Sequence, residues 1–477
     1  MSTTEDKKAL AIRRKEMEAI TEREMAKNVF KLAWPATAEA VLQTTIRIVT
    51  AALLGHIPVY SALAVSASGL ADRIVRISWA LFAAVGTGAT VMIARSKGAG
   101  DKELANRFAS QALVIGAILF ASITIVMFVF SEQLINILYN WDQKLDTQLA
   151  SMAVGYLRLI VWSVPFMAVN QIISAVMRGA GNTVVGLITN TAANLSNVVL
   201  GYILIYGMFG APAMGITGAA IATIISQAIG AVIALVIFFG VQKNIKASFT
   251  RFRFHLERVK ELFGVGVPHA SEMLLMQSGH IILAGLIGSM GAVELAAHTQ
   301  GIIAESISYL PAMGFSIAAT TLIGMSVGVG SVKLSMRYFK VIMKWNLMLT
   351  AVTAAVLIIL PRQMFALLSN DQEVIALGAI YLIMMGFCQF PQQSSGVFAG
   401  VLRGGGDNKV TLLISSIGHL GVRLPLCFLF ANTFGWGIIG IWAAMSIDIV
   451  VRFLLFLSRY ISGKWKKTAL LIAGDAE

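Results

Sequence analysis

A carboxylate, an amide, a guanidinium and a hydroxyl recur along one short segment. Glu39, Gln43, Arg47 and Thr50 fall at i, i+4, i+8 and i+11, so a helix aligns all four on one face. A second segment carries His269, Glu272 and His280, with Glu272 standing 233 residues after Glu39. Asn190, Asn194 and Asn197 form an amide stripe at i, i+4 and i+7, and Gln389, Gln392, Gln393 and Ser395 offer a similar set. Groups of these kinds bind cations, carry protons or hold the polar parts of a small molecule. A carboxylate that alternates between water and a dry interior takes up and releases a proton. Glu272 is the leading candidate for ion coupling, with His269 one helical turn away as a second titrating group; Glu305 and Glu39 come next. A structural hydrogen bond from protonated Glu272 to a facing helix is the plain alternative. The amides divide between cavity lining and interhelical hydrogen bonds, each worth roughly 0.6 to 2 kcal/mol.

The remaining interior charges pair more easily. Asp72 and Arg76 are i, i+4 partners, which leaves Arg73 facing a cavity or lipid headgroups. Glu305 falls within one residue of the position matching Arg73, so the two halves are expected to present opposite charges there. Asp448 and Arg452, also i, i+4, with Arg423 on the neighbouring span, read together with Asp72 and Arg76 as a structural charge network. No P-loop, no nucleophile beside a base and no metal-spaced His or Cys cluster is present, so no catalytic residue, metal or cofactor is expected. Cys388 and Cys427 lie in apolar segments and read as packing groups. Gly86-Thr87-Gly88 has no preceding strand, which argues close helix packing and not nucleotide binding.

These residues sit in long apolar runs. The 477-residue chain is 57% hydrophobic and 13% charged, with a mean hydropathy of +0.78, which excludes a water-soluble fold. Spans are predicted near 31–54, 62–94, 108–130, 150–175, 183–206, 214–240, 261–287, 292–326, 338–360, 374–401, 410–431 and 437–458. The fold class is an all-α polytopic membrane protein of about twelve transmembrane helices. Lys and Arg crowd alternate loops; the others retain only Lys144 and Arg362, which places both termini in the cytoplasm and the chain in the inner membrane. The formal charge of +13 follows from those clusters, so a nucleic-acid partner is not expected.

The halves repeat one another. Pro35, Glu39 and Gly55 recur as Pro268, Glu272 and Gly288 at an offset of 233; Ser96, Gly98 and Gly100 recur as Ser326, Gly328 and Gly330 at 230. Tyr156 and Arg178-Gly179-Ala180-Gly181 recur as Tyr381 and Arg403-Gly404-Gly405-Gly406 at 225. The expected organisation is a cytoplasmic extension (1–30), an N-lobe (31–240), a cytoplasmic linker (241–260), a C-lobe (261–460) and a cytoplasmic tail (461–477), the six-helix lobes being pseudo-symmetric. Two such lobes suit alternating access, in which one rocks against the other around a midplane site.

In this layout Leu32-Ala33-Trp34-Pro35, Gly86-Thr87-Gly88-Ala89-Thr90 through Gly98-Ala99-Gly100-Asp101, Met177-Arg178-Gly179-Ala180-Gly181-Asn182-Thr183, Ala296-Ala297-His298, Ala318-Ala319-Thr320-Thr321-Leu322 and Leu402-Arg403-Gly404-Gly405-Gly406-Asp407 appear in order. Over roughly residues 28–467 the sequence resembles the multidrug and toxic compound extrusion (MATE) transporters. The resemblance implies a V-shaped pair of six-helix lobes exporting substrates in exchange for entering protons or sodium. It carries the family's helix-seven glutamate onto Glu272 and its helix-five asparagine onto Asn197. The helix-one aspartate is Thr50 here, the helix-five aspartate is Gly201, and the acidic position of helix ten is Gln392.

The functional expectation is a secondary active exporter of small amphipathic compounds, coupled to proton or sodium entry, acting as a monomer with no obligate protein partner. Arg47, Thr50, Arg73, Asn194, Asn197, His280, Gln389 and Gln392 are its cavity candidates. Because the N-lobe lacks two acids and holds Arg47 and Arg73, the substrate is expected to be neutral, zwitterionic or anionic. A lipid-linked flippase of the same superfamily is the alternative, and a membrane-embedded enzyme a more distant one.

Overall fold

A computed structural model describes residues 4–55, 61–141, 147–241, 245 and 254–473. The order is α1 (Thr4–Glu18), α2 (Glu22–Gly55), α3 (Ser61–Ala99), α4 (Lys102–Val129), α5 (Ser131–Trp141), α6 (Thr147–Ile160), α7 (Val164–Gly179), α8 (Val184–Tyr206) and α9 (Gly215–Val236). There follow α10 (Leu256–Gly288), α11 (Ala292–Gly328), α12 (Val332–Ile359), α13 (Pro361–Ala366), α14 (Gln372–Gly405), α15 (Asn408–Ser416), α16 (Leu424–Phe428), α17 (Gly437–Ile461) and α18 (Lys464–Ala473). No strand forms among the described residues. Most of the linker expected at 241–260 lies outside them.

Eleven helical stretches among the described residues are long and apolar enough to cross a bilayer; one joins α6 to α7 (Gln148–Gly179) and another runs through α15 and α16 (Asn408–Thr433). α2, with 34 residues, rises about 50 Å and is long enough to be the twelfth. Five of its charged residues, Glu22, Arg23, Glu24, Lys27 and Lys31, lie in its first ten positions, and the apolar remainder carries only Glu39 and Arg47. The all-α, two-lobed membrane fold expected from the sequence is the fold observed.

Two compact units divide the chain. The N-lobe comprises Ala38–Ile93 and Lys102–Gly266, and the C-lobe comprises Met1–Thr37, Ala94–Asp101 and Val267–Glu477. α2 and α10 therefore each begin in one unit and end in the other, and each changes unit within two residues of an internal proline, Pro35 or Pro268. Proline lacks the N–H that would bond to the carbonyl four residues back, so a helix bends there most cheaply.

The N-lobe core gathers Phe82, Phe108, Phe120, Tyr156 and Phe238. One C-lobe cluster packs Met25, Val29 and Leu32 of α2 against Phe315, Tyr338 and Trp465, and a second surrounds Phe365, Tyr381 and Trp442. The repeated glycines mark close crossings. A methyl on Gly98 would lie 2.1 Å from the Met325 carbonyl oxygen, and one on Gly328 would lie 2.0 Å from that of Arg95. Gly88 meets Leu262 in the same way, at 2.3 Å, which is the close packing its Gly-x-Gly context predicted.

Candidate functional site

In the C-lobe, Glu272 of α10 is buried and both its oxygens are held. Ser415 Oγ donates to Oε1 at 2.7 Å, Arg403 Nη2 donates to Oε2 at 2.8 Å, and His269 Nδ1 lies 3.4 Å from Oε2. Arg403 occupies the last turn of α14, which Gly406 closes with a left-handed φ of 94°, a conformation only glycine takes at little cost. The guanidinium, read from sequence as a loop charge, thus reaches back to an interior carboxylate. One turn beyond Ser415, residues Ile417–Arg423 adopt the wider i→i+5 turn of a π-helix, which places both His419 and Arg423 inward.

Arg423 and Arg452 share Asp448, which is fully buried. Arg423 donates from Nε at 2.9 Å and from Nη2 at 2.7 Å; Arg452 donates from Nε at 2.8 Å and from Nη2 at 3.0 Å. His280 is exposed on α10 yet within electrostatic reach of both arginines. Buried His298 accepts from Trp442 Nε1 at 3.3 Å.

Glu305 of α11 lies in a different setting. Tyr381 Oη donates to its Oε2 at 2.6 Å and Gln389 Nε2 to its Oε1 at 3.1 Å, while Gln393 donates to Gln389 at 2.7 Å. Gln392 also faces this carboxylate, and its Oε1 is buried without a hydrogen bond. Among the described residues no cation stands within ion-pair distance of Glu305.

The N-lobe repeats the first of these constellations. Glu39 Oε1 accepts from Asn190 Nδ2 at 2.9 Å and lies 3.7 Å from Arg178 Nη1, and Asn170 Nδ2 donates to Asn190 at 3.3 Å. Glu39 and Glu272 differ by 233 residues, while Arg178 and Arg403, like Asn190 and Ser415, differ by 225. Asn197 donates to Thr223 Oγ1 and Ser226 Oγ at 3.1 and 3.2 Å and accepts from Thr50 Oγ1 at 3.3 Å. Thr50 and Asn197 therefore meet, as neutral groups. Asn194 is buried, with an unpartnered Nδ2.

Arg73 and Arg76 are exposed and Asp72 is half-buried, within electrostatic reach of Tyr156. Since Tyr156 repeats Tyr381, the position in register with Glu305 is Asp72 and not Arg73: the lobes carry like charges there, and the opposite-charge expectation is corrected. The side chain of Arg47 lies outside the described residues. Sequence reasoning missed Arg178, Arg403, Tyr381 and Ser415 as partners of acids; their common offset of 225 was the available signal. Among the described residues no group of three or more His, Cys, Asp or Glu could hold a metal ion.

The MatE family profile matches residues 35–203 and 268–429, one segment in each half of the repeat. The chain belongs to the MatE family. A relative in Thermotoga maritima, the probable multidrug resistance protein NorM, is 33% identical over 451 residues, covering 94% of this chain and 95% of its own length. The multidrug resistance protein MdtK of Yersinia pseudotuberculosis is 27% identical over 342 residues, 68% of this chain and 73% of its own. A MATE crystal structure in the bent conformation superposes with a TM-score of 0.85 at 20% identity, over 94% of this chain and 99% of the other. A MOP superfamily transporter from Pyrococcus furiosus, described by the reverse polarity of its binding pocket, superposes with a TM-score of 0.83 at 21% identity, over 92% and 96%. As a MatE member the chain is a multi-pass membrane transporter and not an enzyme.

Proposed function

We propose that this MatE chain is a secondary active exporter of small amphipathic organic compounds, driven by entering protons or sodium through alternating access of its lobes. The multidrug names of its relatives support the substrate class. The avoidance of Lys and Arg in alternate loops supports a cytoplasmic-membrane location with both termini inside.

Glu305 carries the coupling reading. It is a buried carboxylate in a transmembrane helix whose hydrogen-bonding neighbours, Tyr381, Gln389 and Gln392, are all neutral, with the Arg423 guanidinium within electrostatic reach. Ionised, it accepts from Tyr381 and Gln389; protonated, it has an unused acceptor in Gln392 Oε1. Both charge states can therefore be satisfied without rebuilding the site. Glu272, already bonded to Arg403 and Ser415, is the second coupling group, and a cation arriving there displaces the guanidinium. The paired arginines on Asp448 leave one surplus positive charge, which favours a neutral, zwitterionic or anionic substrate over a cation.

Gradient-driven export from proteoliposomes, with proton and sodium gradients imposed separately, tests the reading. Glu305→Gln should bind substrate normally but lose about tenfold or more of the gradient-driven rate. Full driven export by that variant removes Glu305 from the mechanism. Wild-type protein that exports under neither gradient refutes the exporter.

A further inference from the structure

Three cationic side chains that the exporter reading leaves unused converge from three helices. Arg13 lies on α1, Lys31 on α2 and Lys97 in the last turn of α3. Arg13 Nη2 donates to the Lys97 carbonyl at 2.8 Å, which fixes the guanidinium against the end of α3. Gly100, with a φ of 84°, makes room for it: a methyl there would lie 3.0 Å from Arg13 Nη1. Arg13 Nε is buried and donates to no described residue. Lys97 is half-buried, and its ammonium stands within electrostatic reach of both Lys31 and Arg13.

Like charges gathered where water is partly excluded repel one another, so such a group is most stable with an anion among its members. The acids of the neighbouring turns are engaged elsewhere. Glu18 accepts from Ser331, Glu22 lies 3.6 Å from Lys344, and Glu24 accepts from the Thr21 N–H at 2.9 Å. Asp101, exposed on the turn after α3, offsets at most one of the three charges. The second half of the repeat serves as the internal control. Its offsets of 233 and 230 turn Lys31 into Gly264 and Lys97 into Val327, so the duplicated scaffold does not require a cation at either position. Orientation in the membrane does not require a half-buried cluster either, since exposed loop lysines serve that purpose.

We propose that Arg13, Lys31 and Lys97 form a binding site for an anionic phosphate group. Guanidinium and ammonium groups are the side chains that hold phosphate oxygens, Arg through paired N–H donors and Lys as a point charge. Trp34 favours a lipid headgroup over a free phosphate ester as the source. It shares a face with Lys31 at i+3 and is 69% exposed, and indoles so placed sit at the headgroup level of a bilayer. With the termini in the cytoplasm, the orientation proposed above, the cluster meets the leaflet whose anionic lipids attract basic segments. Bound there, the phosphate joins α1 to the inner ends of α2 and α3. The site depends neither on the exported substrate nor on Glu305 being the coupling group.

Native mass spectrometry of the purified full-length protein, titrated with dioleoylphosphatidylglycerol, dioleoylphosphatidylcholine or inorganic phosphate, tests the site without any transport readout. Wild type should bind a first phosphatidylglycerol saturably, and about fivefold or more tighter than phosphatidylcholine. Lys31→Gln and Lys97→Gln should each weaken that binding about fivefold, the share of one basic side chain at an anionic membrane surface. Lys102→Gln, exposed at the start of α4, should leave it unchanged. Amide exchange in α1 should slow when phosphatidylglycerol is added to phosphatidylcholine nanodiscs, and Arg13→Gln should abolish the slowing. Binding and protection by inorganic phosphate equal to those by the lipid uphold the site and identify a soluble ester as the source. Wild type that prefers neither phosphatidylglycerol nor phosphate over phosphatidylcholine overturns the proposal. So does a Lys102→Gln variant weakened as much as Lys97→Gln, which marks diffuse surface charge.

Discussion

Replacing Asp448 with asparagine preserves the side chain's shape and removes its charge, leaving Arg423 and Arg452 buried together without a counter-ion. Asp448 is fully buried and accepts four N–H groups from the two guanidiniums at 2.7 to 3.0 Å. Each charge pair is worth about 4 kcal/mol at a separation near 4 Å and an effective dielectric near 20, so about 8 kcal/mol of attraction disappears. Relief of the carboxylate's own desolvation returns several kcal/mol, which brings the net loss to the roughly 3 to 5 kcal/mol typical of broken buried pairs. Arg452→Gln alone should cost less, because Asp448 and Arg423 then remain balanced one to one. The double variant Asp448→Asn/Arg452→Gln should be more stable than Asp448→Asn, since one surplus cation goes with the lost acid. Unfolding in mixed micelles, followed by tryptophan fluorescence across the set, measures these differences. A loss below about 1 kcal/mol in Asp448→Asn, or a double variant less stable than both singles, would refute the two-to-one charge reasoning.

Two further outcomes follow from the ends of the helices. The Glu18 carboxyl is held below its ordinary value of 4.5, chiefly by the hydrogen bond from Ser331, with Arg14 assisting, while Arg337 donates to the Glu18 carbonyl. A depressed value stabilises the ionised docked state, so the contribution is present above pH 4.5 and is lost as the pH falls below it; amide exchange in α1 should rise on acidification, and Glu18→Gln should show the raised exchange already at neutral pH. Gly98→Val should destabilise the C-lobe by about 1 to 3 kcal/mol, because its side chain must displace the Met325 carbonyl, and thermal unfolding of the purified variant measures it.

The apolar runs and the positions of the repeats were legible in the sequence because each is a statement about one helix. Helix number, the close-packing glycines and the Arg423–Asp448–Arg452 cluster followed from spacing or adjacency. What stayed hidden depends on two helices at once. Arg178 and Arg403 looked like loop charges because their Cα atoms stand at helix ends, and only the length of a guanidinium arm carries them to Glu39 and Glu272. The Arg73 comparison failed by one residue, since an i, i+1 shift on a helix turns a side chain by about 100°; Tyr156 and Tyr381 restore the register. Gln392 was readable as a polar group replacing an acid, but its tie to Glu305 requires the approach of α11 to α14.

The assignment of α2 to two units also has a consequence in time. Met25, Val29 and Leu32 pack against Phe315, Tyr338 and Trp465, which are synthesised much later than they are. The unit formed by residues 38–93 and 102–266 is complete as soon as its own chain has been translated. The other remains open until α18 has been made, so an early segment waits for a late one, and a chain cut after Gly266 holds one finished unit and an orphaned leading segment.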